Sequence, residues 1–305
     1  MNNLNQLLWP ELPYDKFSST SYLLHRGLQA IGKLKLLTPF EPEWANVILY
    51  ITARGLTTGL IPYQQHAFAI DIDLIEHQII TYSTSGLHDK FDLKTMSVAD
   101  LFNKIFASLK NIDIELTINP KPQEVPNPIL FNEDTESRDY DKKLAQAWWQ
   151  ILVNTYLVMQ FYHAPFLGKT QPIGFMWGTF DLRDVRFKDC SINTPTSGPN
   201  AGYLRRNAMD AAQVESGWWS GNEQYPRAAY YSFTFPEPPG IEKAAIQPRR
   251  AHWDNNLKLF ILDYDDMRQA ENPAEELLMF LKSSYQAGAE KAGWDAKLIG
   301  VGEPV

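Results

Sequence analysis

Residues 119–141 read NPKPQEVPNPILFNEDTESRDYD. Pro120, Pro122, Pro126 and Pro128 crowd into its first ten positions. Proline lacks a backbone N–H and pushes the preceding residue out of the helical region, so neither a helix nor a central strand can cross this stretch. The acidic run that follows is a solvated connector, with Asp139 or Asp141 placed to cap the next helix. The chain of 305 residues is thereby divided into a first half at 1–125, a connector at 126–141 and a second half at 142–305. The two halves are expected to close into one body.

Periodicity makes both halves α+β. In the first, SSTSYLLHRGLQAIGKLKLL carries Leu24, Leu28 and Ile31 at helical spacing, and Ser18–Ser21 offer hydroxyl caps. ANVILYITA is expected as a buried strand. In HAFAIDIDLIEHQIITYSTSG, Phe68, Ile70, Ile72 and Leu74 alternate with Ala69, Asp71 and Asp73, the period of a half-buried strand, and a second strand follows. KFDLKTM and DIELTI read as short strands. Between them, SVADLFNKIFASLKNI is a helix capped by Ser97 with one apolar stripe. In the second half, KKLAQAWWQILVNTYLVMQFYH is a long helix that is apolar over much of its circumference, hence central. FMWGTFDLRDVRF is expected as one strand. A loop DCSINTPTSGPNAG, an ambiguous stretch with ESGWWSGN, strands AAYYSFTF and LKLFILDY, and a closing helix with Asn272 as N-cap and Pro273 at its first position complete the order. Each half thus runs from a helix through antiparallel strands to a helix, the pattern of an internal duplication, and a cleft between similar halves is a natural ligand site.

Several functions are excluded or disfavoured. Hydrophobic residues make up 44 % of the chain and aromatic ones 13 %, enough for a sizeable core. The net charge is −8, and the densest basic spots are Arg205-Arg206 and Arg249-Arg250, so nucleic acid is not an expected partner. With Cys190 as the single cysteine, no internal disulfide or multi-cysteine zinc site can form. The N-terminus lacks a secretory pattern and no apolar run reaches membrane-helix length, so a soluble cytoplasmic protein without a membrane partner is expected.

WPELPY at 9–14, LHRGLQAIGK at 24–33, LYITARGLTTGLIPY at 49–63, DIDLIEH at 71–77, PILFNEDTE at 128–136 and WGTFDL at 177–182 occur in this order along nearly the whole chain. Together they resemble a bacterial family catalogued only as a domain of unknown function. The resemblance implies one conserved cytoplasmic unit with no assigned reaction. In the family pattern histidines are common near positions 46, 137 and 212. Here those positions hold Asn46, Ser137 and Ala212, which implies that any metal or proton-transfer role of such histidines is missing from this chain.

The candidate site residues form three sets. Arg54, with Thr57 and Thr58 between two glycines, is suited to hold an anionic group, or else it ends a strand and pairs with Asp71 or Asp73. Those two aspartates lie two apart and share a strand face; with Asp181 and Arg183 they form an acid–base set, or an ordinary cross-strand pairing. Trp177, Trp218 and Trp219, with Tyr230 and Tyr231, are the material of an aromatic wall, or core filling. The scattered histidines show no metal-helix spacing, no serine sits in a nucleophile elbow, and no metal is expected; cofactor, catalysis and oligomeric state are not specified by any motif. The function expected is a small-molecule-binding protein with its ligand, anionic or aromatic, between the halves. The alternative is a non-catalytic interaction module in which the same motifs are structural.

Overall fold

The computed structural model describes residues 4–191 and 208–299; the loop expected at 189–202 falls largely outside them. It is an α+β structure whose sheets are antiparallel. The first half begins with helix α1 (Tyr14–Gly32). Strands β1 (Tyr50–Thr52), β2 (Gly55–Thr57), β3 (Ile61–Tyr63), β4 (His66–Asp73), β5 (Gln78–Ser83) and β6 (His88–Asp92) form one sheet in the order β1-β2-β4-β5-β6, with β3 also on β4. Helix α2 (Val98–Asn111) packs on β5 and β6 and against α1. The short β7 (Met96–Ser97) pairs with β8 (Ser137–Arg138) at the end of the connector. The second half has helix α3 (Lys142–His163), then β9 (Gly174–Met176), β10 (Asp181–Ser191), β11 (Ala211–Trp219), β12 (Ala229–Phe235), β13 (His252–Asp254) and β14 (Leu259–Asp263), ordered β13-β14-β12-β11-β10-β9. Helices α4 (Tyr264–Arg268), α5 (Pro273–Lys291) and α6 (Ala296–Ile299) close it, with α5 lying on β11, β12 and α3.

The long helix is central, as its apolar circumference requires. Trp148, Ile151, Leu152, Val158 and Met159 of α3 are fully buried. Trp148 stacks on Phe180 with 5.1 Å between ring centroids, and α3 touches α1, α5, β1 and β10. Asp141 caps it by accepting the amides of Lys143 and Leu144, and Ser97 caps α2 through Asp100 N. In β4 the alternation is realised: Phe68, Ile70 and Ile72 are buried.

Four local expectations change. Helix α1 starts at Tyr14, behind Pro13 at φ −63°, without a side-chain cap; proline supplies the torsion and needs no partner for its missing N–H. The strand expected at 45–53 shortens to β1, and residues 45–47 belong to tight turns over 42–47, because Asn46 closes the chain on itself, donating to Thr38 Oγ1 (3.0 Å) and accepting from Glu41 N (3.2 Å). The run 113–118 makes no ladder; both backbone groups of Glu115 bond the Tyr63 hydroxyl. FMWGTFDLRDVRF is a hairpin, not one strand: Trp177–Phe180 turn between β9 and β10, with Phe180 at φ 64°.

The two sheets meet at their edges. Leu49, just ahead of β1, exchanges two backbone hydrogen bonds with Phe175 of β9 (3.0 and 2.9 Å). Beside this seam the Trp177 ring lies flat on Gly32, and its Nε1 donates to Val47 O at 2.9 Å. A Cβ at Gly32 would fall 2.2 Å from Trp177 Cγ. Gly32→Ala therefore has to expel the indole from the seam. The expected result is a loss of roughly 1–3 kcal/mol in urea unfolding, the usual cost of overpacking, together with a red-shifted tryptophan emission; an unchanged midpoint would show that the ring has room to move.

Candidate functional site

The second sheet has two faces with different jobs. Leu182, Asp184 and Arg186 of β10 and Val214, Ser216 and Trp218 of β11 alternate with Asp181, Arg183, Glu215, Gly217 and Trp219. The first set faces α3 and α5. There the Arg186 guanidinium sits 3.6 Å from the Tyr162 ring centroid and 4.2 Å from that of Tyr285, and Asp184 accepts a hydrogen bond from His163 Nδ1. Trp218 is fully buried against Tyr264.

On the other face a chain of polar groups runs across three strands. Arg183 is opposite Gly217, which is opposite Tyr231 on β12. Because Gly217 has no side chain, the Tyr231 ring lies across it; a Cβ there would be 2.5 Å from the tyrosine oxygen. The phenol reaches Asp181 Oδ2 in one direction and Glu215 Oε1, 3.0 Å away, in the other. Thr179 donates to Asp181 Oδ1, and Arg183 Nη1 donates to Glu215 Oε2 at 2.8 Å. Arg183 Nη2 also meets Gln171 Oε1 (3.0 Å) and the carbonyl of Glu43 (3.5 Å). Asp181, Arg183, Glu215, Tyr231, Gln171 and Glu43 are buried, and Thr179 is exposed at the edge. Burial, and then the charge of Glu215, raise the Asp181 carboxyl to about 7. The Tyr231 phenol is pushed well above its ordinary range by burial and by the two carboxyls.

Above this floor is a cavity of about 830 Å³. Arg183, Glu215 and Thr179 open into it, with Gln123 and Glu124 from the end of the first half at one side. Its walls are Trp44, Val47, Met176, Trp177, Phe233 and Leu259. The first half therefore supplies one wall and the second half supplies the floor. The Glu124 carboxyl rests on Gly178, where a Cβ would lie 2.1 Å from its Oε2. Desolvation there and the Glu215 charge raise its pKa. The turn beneath is held from α1: His25 Nε2 and Gln29 Nε2 both donate to Gly178 O (2.9 and 3.0 Å), and Gln29 exchanges hydrogen bonds with the backbone of Gln123. Burial and the Arg26 charge lower His25 to about 3, so it holds this turn as a neutral ring.

The sequence candidates are distributed over separate places. Arg183 and Trp177 line the cavity, and Asp181 lies one hydrogen bond behind it. Trp219 is on the cavity face of its strand, beside Tyr231 with ring centroids 5.7 Å apart, and Trp218 points the opposite way. ESGWWSGN is thus largely strand rather than loop. Arg54 lies outside the cavity lining: its Nε donates to Asp73 Oδ2 at 2.6 Å with the side chain half exposed. Burial alone would raise Asp73, but the amides of Glu76 and Ile75 and the Arg54 guanidinium outweigh it and hold its pKa low. Thr58 is buried in the sheet, bonded to Ile70 N, and Lys35 donates to its carbonyl. Thr57 stands opposite Asp71. Asn46, Ser137 and Ala212 fall on a turn, β8 and β11. Glu215, Glu124, Gln171 and Thr179 were not anticipated. Reading 211–219 as a strand would have found Glu215, since Gln213, Glu215 and Gly217 then share one face with Trp219. The side chain of Cys190 is outside the described residues, and among the described residues no three His, Cys, Asp or Glu side chains converge as a metal site.

Fold and site define a two-sheet α+β protein with an ionisable network beneath an aromatic-walled cavity. Residues 9–301 match the model of the family of unknown function DUF5996, and the chain belongs to that family. No curated protein matches it, and no solved structure does. Among the described residues no helix is long and apolar enough to cross a membrane.

Two charge deletions separate the floor from the first sheet. Glu215→Leu strands the Arg183 guanidinium in a buried place, and the expected cost is about 3–5 kcal/mol in chemical denaturation. Arg54→Ala removes a surface pair and is expected to shift the melting temperature only slightly. Asp181 gives a pH signature. Between the ordinary carboxyl range and about 7 the folded protein keeps a proton that the unfolded chain has lost, so stability falls as pH rises through that window. In Asp181→Asn this slope is expected to flatten in urea titrations taken across it.

Proposed function

We propose that the protein binds a small organic ligand in the cavity over the second sheet, within the cytoplasm. The observation that carries this reading is an open cleft of about 830 Å³, with aromatic walls from both halves above a preformed polar floor. Ligand sites combine apolar walls with a few fixed polar groups, and this volume suits a molecule of drug size. Desolvation supports it too: a buried guanidinium set among the two buried carboxyls of Glu215 and Asp181 is costly to assemble for stability alone. The walls favour the aromatic ligand that the sequence suggested. The anionic anchor expected at Arg54 is moved, because the guanidinium at the cavity is Arg183 and Glu215 already neutralises it. The run of helix, six antiparallel strands and helix in each half further supports descent from a duplicated unit, with the ligand space where the copies meet.

The test is to fill the cavity. Ala208 lines it and has no bulk to lose. In a thermal-shift screen of planar metabolites, wild type is expected to be stabilised by at least one compound, and Ala208→Trp is expected to lose that response while keeping its own cooperative melt. Arg54→Ala is expected to respond like wild type. A response that persists in Ala208→Trp would place the ligand elsewhere, and the absence of any response would favour the interaction-module reading.

A further inference from the structure

Resting on that cavity reading, we propose that the ligand is a planar organic cation, an aryl amidinium or a protonated amino-heterocycle. Its ring lies against Trp44, Trp177 and Phe233, and its N–H groups meet the carboxylates of Glu215 and Glu124.

The charge inventory of the floor leads to this class. Among the described residues, Arg183 is the one buried cation lining the cavity, and its donors are committed to Glu215 Oε2, Gln171 Oε1 and the Glu43 carbonyl. Against it stand three acids, Glu215, Glu124 and, behind Tyr231, Asp181. At the rim, exposed Glu237 and Lys258 offset one another. An anionic ligand would have to take Arg183 away from Glu215 and would then face all three acids. A neutral ring would leave the repulsion between Glu124 and Glu215 in place. A cation with two N–H groups relieves it, and a flat amidine edge matches a carboxylate in the bidentate way. The same cation gains from aromatic faces in a desolvated site.

The floor is also built to give up a proton when such a ligand arrives. The Tyr231 hydroxyl has one hydrogen and touches two carboxyls. All contacts are satisfied when Asp181 carries a proton and donates it to the phenol, the phenol donates to Glu215, and Arg183 faces the far oxygen of Glu215. The groups facing Asp181 are Thr179 from the turn, Tyr231 from β12, Glu215 from β11 and Arg183 from its own strand. Glu124 approaches this set from the end of the first half, within reach of the charges of Glu215 and Arg183. Asp181 and Glu124 are raised first by desolvation and then by the Glu215 charge, which adds like charge at the floor. A bound cation favours the ionised acids, so its binding releases protons. Affinity is fullest above about 7, where Asp181 is ionised, and it falls as pH drops through that value.

Benzamidine, benzamide and benzoate are isosteric probes of charge. Titrated calorimetrically into the full-length protein at about pH 8, benzamidine is expected to bind at least about tenfold tighter than benzamide, and benzoate not at all. Benzamidine affinity is expected to fall at about pH 5.5, below the raised Asp181 carboxyl. At about pH 6.5, where Asp181 still carries its proton in the free protein, the binding heat is expected to vary with the ionisation enthalpy of the buffer, the mark of proton release. Glu124→Gln sits on the cavity side and leaves the Arg183–Glu215 pair intact; it is expected to weaken benzamidine about tenfold and to leave benzamide unchanged. Benzoate binding tighter than benzamidine overturns the cation assignment. Benzamide equalling benzamidine, with Glu124→Gln silent, also overturns it but leaves the cavity reading standing. Failure of all three probes, or binding undiminished in Ala208→Trp, overturns both.

Discussion

The Arg183 guanidinium is the junction on which the site depends. It starts on β10, pairs with Glu215 on β11, meets Gln171 in the segment before β9, and ends on the Glu43 carbonyl in the first half. A buried ion pair does little for stability by itself, because desolvation offsets its attraction. Its effect is to fix geometry. Each donor points in one direction, so strand register, the approach of residues 42–47 and the orientation of the Glu215 carboxylate are set together. Tyr231 extends that order to Asp181, and Gly217 makes the crossing possible by having no side chain.

In the first half, the elements that could be read follow one-residue rules: Ser97 before an apolar stripe, and alternation through Phe68, Ile70 and Ile72; the turns at 42–47 and the run 113–118 depend instead on contacts of Asn46 and Tyr63 that no such rule carries. In the second half, both faces of β11 are covered, so apolar and polar residues no longer alternate with burial. A strand buried on both sides loses the period-two contrast that identifies it, and ESGWWSGN looked like a loop for that reason. The hairpin at Trp177–Phe180 was hidden in a similar way. Phe180 takes a left-handed torsion that its side chain disfavours, and the stacking on Trp148 that holds it is a contact 32 positions away.

The site was legible by residue type more than by place. Arg183, Asp181 and Trp177 were singled out and stand at or next to the cavity. Arg54, equally prominent in sequence, pairs with Asp73 at the end of β4 instead. Spacing allowed that pairing and also allowed a ligand; the choice depends on register, since Gly55 stands opposite Asp73 and brings Arg54 alongside it. Glu215 and Glu124 gain their importance from neighbours on other strands and at the end of the first half. No pattern internal to GWW or to KPQEVP carries that information.

Glu43 and Trp44 add a last consequence of the Arg183 junction. Both adopt left-handed torsions, with φ 59° and 58°, a conformation that costs roughly 1–3 kcal/mol for each non-glycine residue. Gln171 donates to the carbonyls of Pro42 and Glu43 (3.2 and 3.3 Å), and Arg183 donates to the latter. These bonds hold the strained turn down over the floor, and the turn presents Trp44 as a wall. The Glu43 carboxyl is raised to about 7, first by burial and then by Asp210 beside it, with Lys169 opposing. The wall and the floor therefore change charge in the same pH range. Protonated, Glu43 lies quietly against Asp210; ionised, it repels it, in the same range in which Asp181 becomes an anion beneath the cavity.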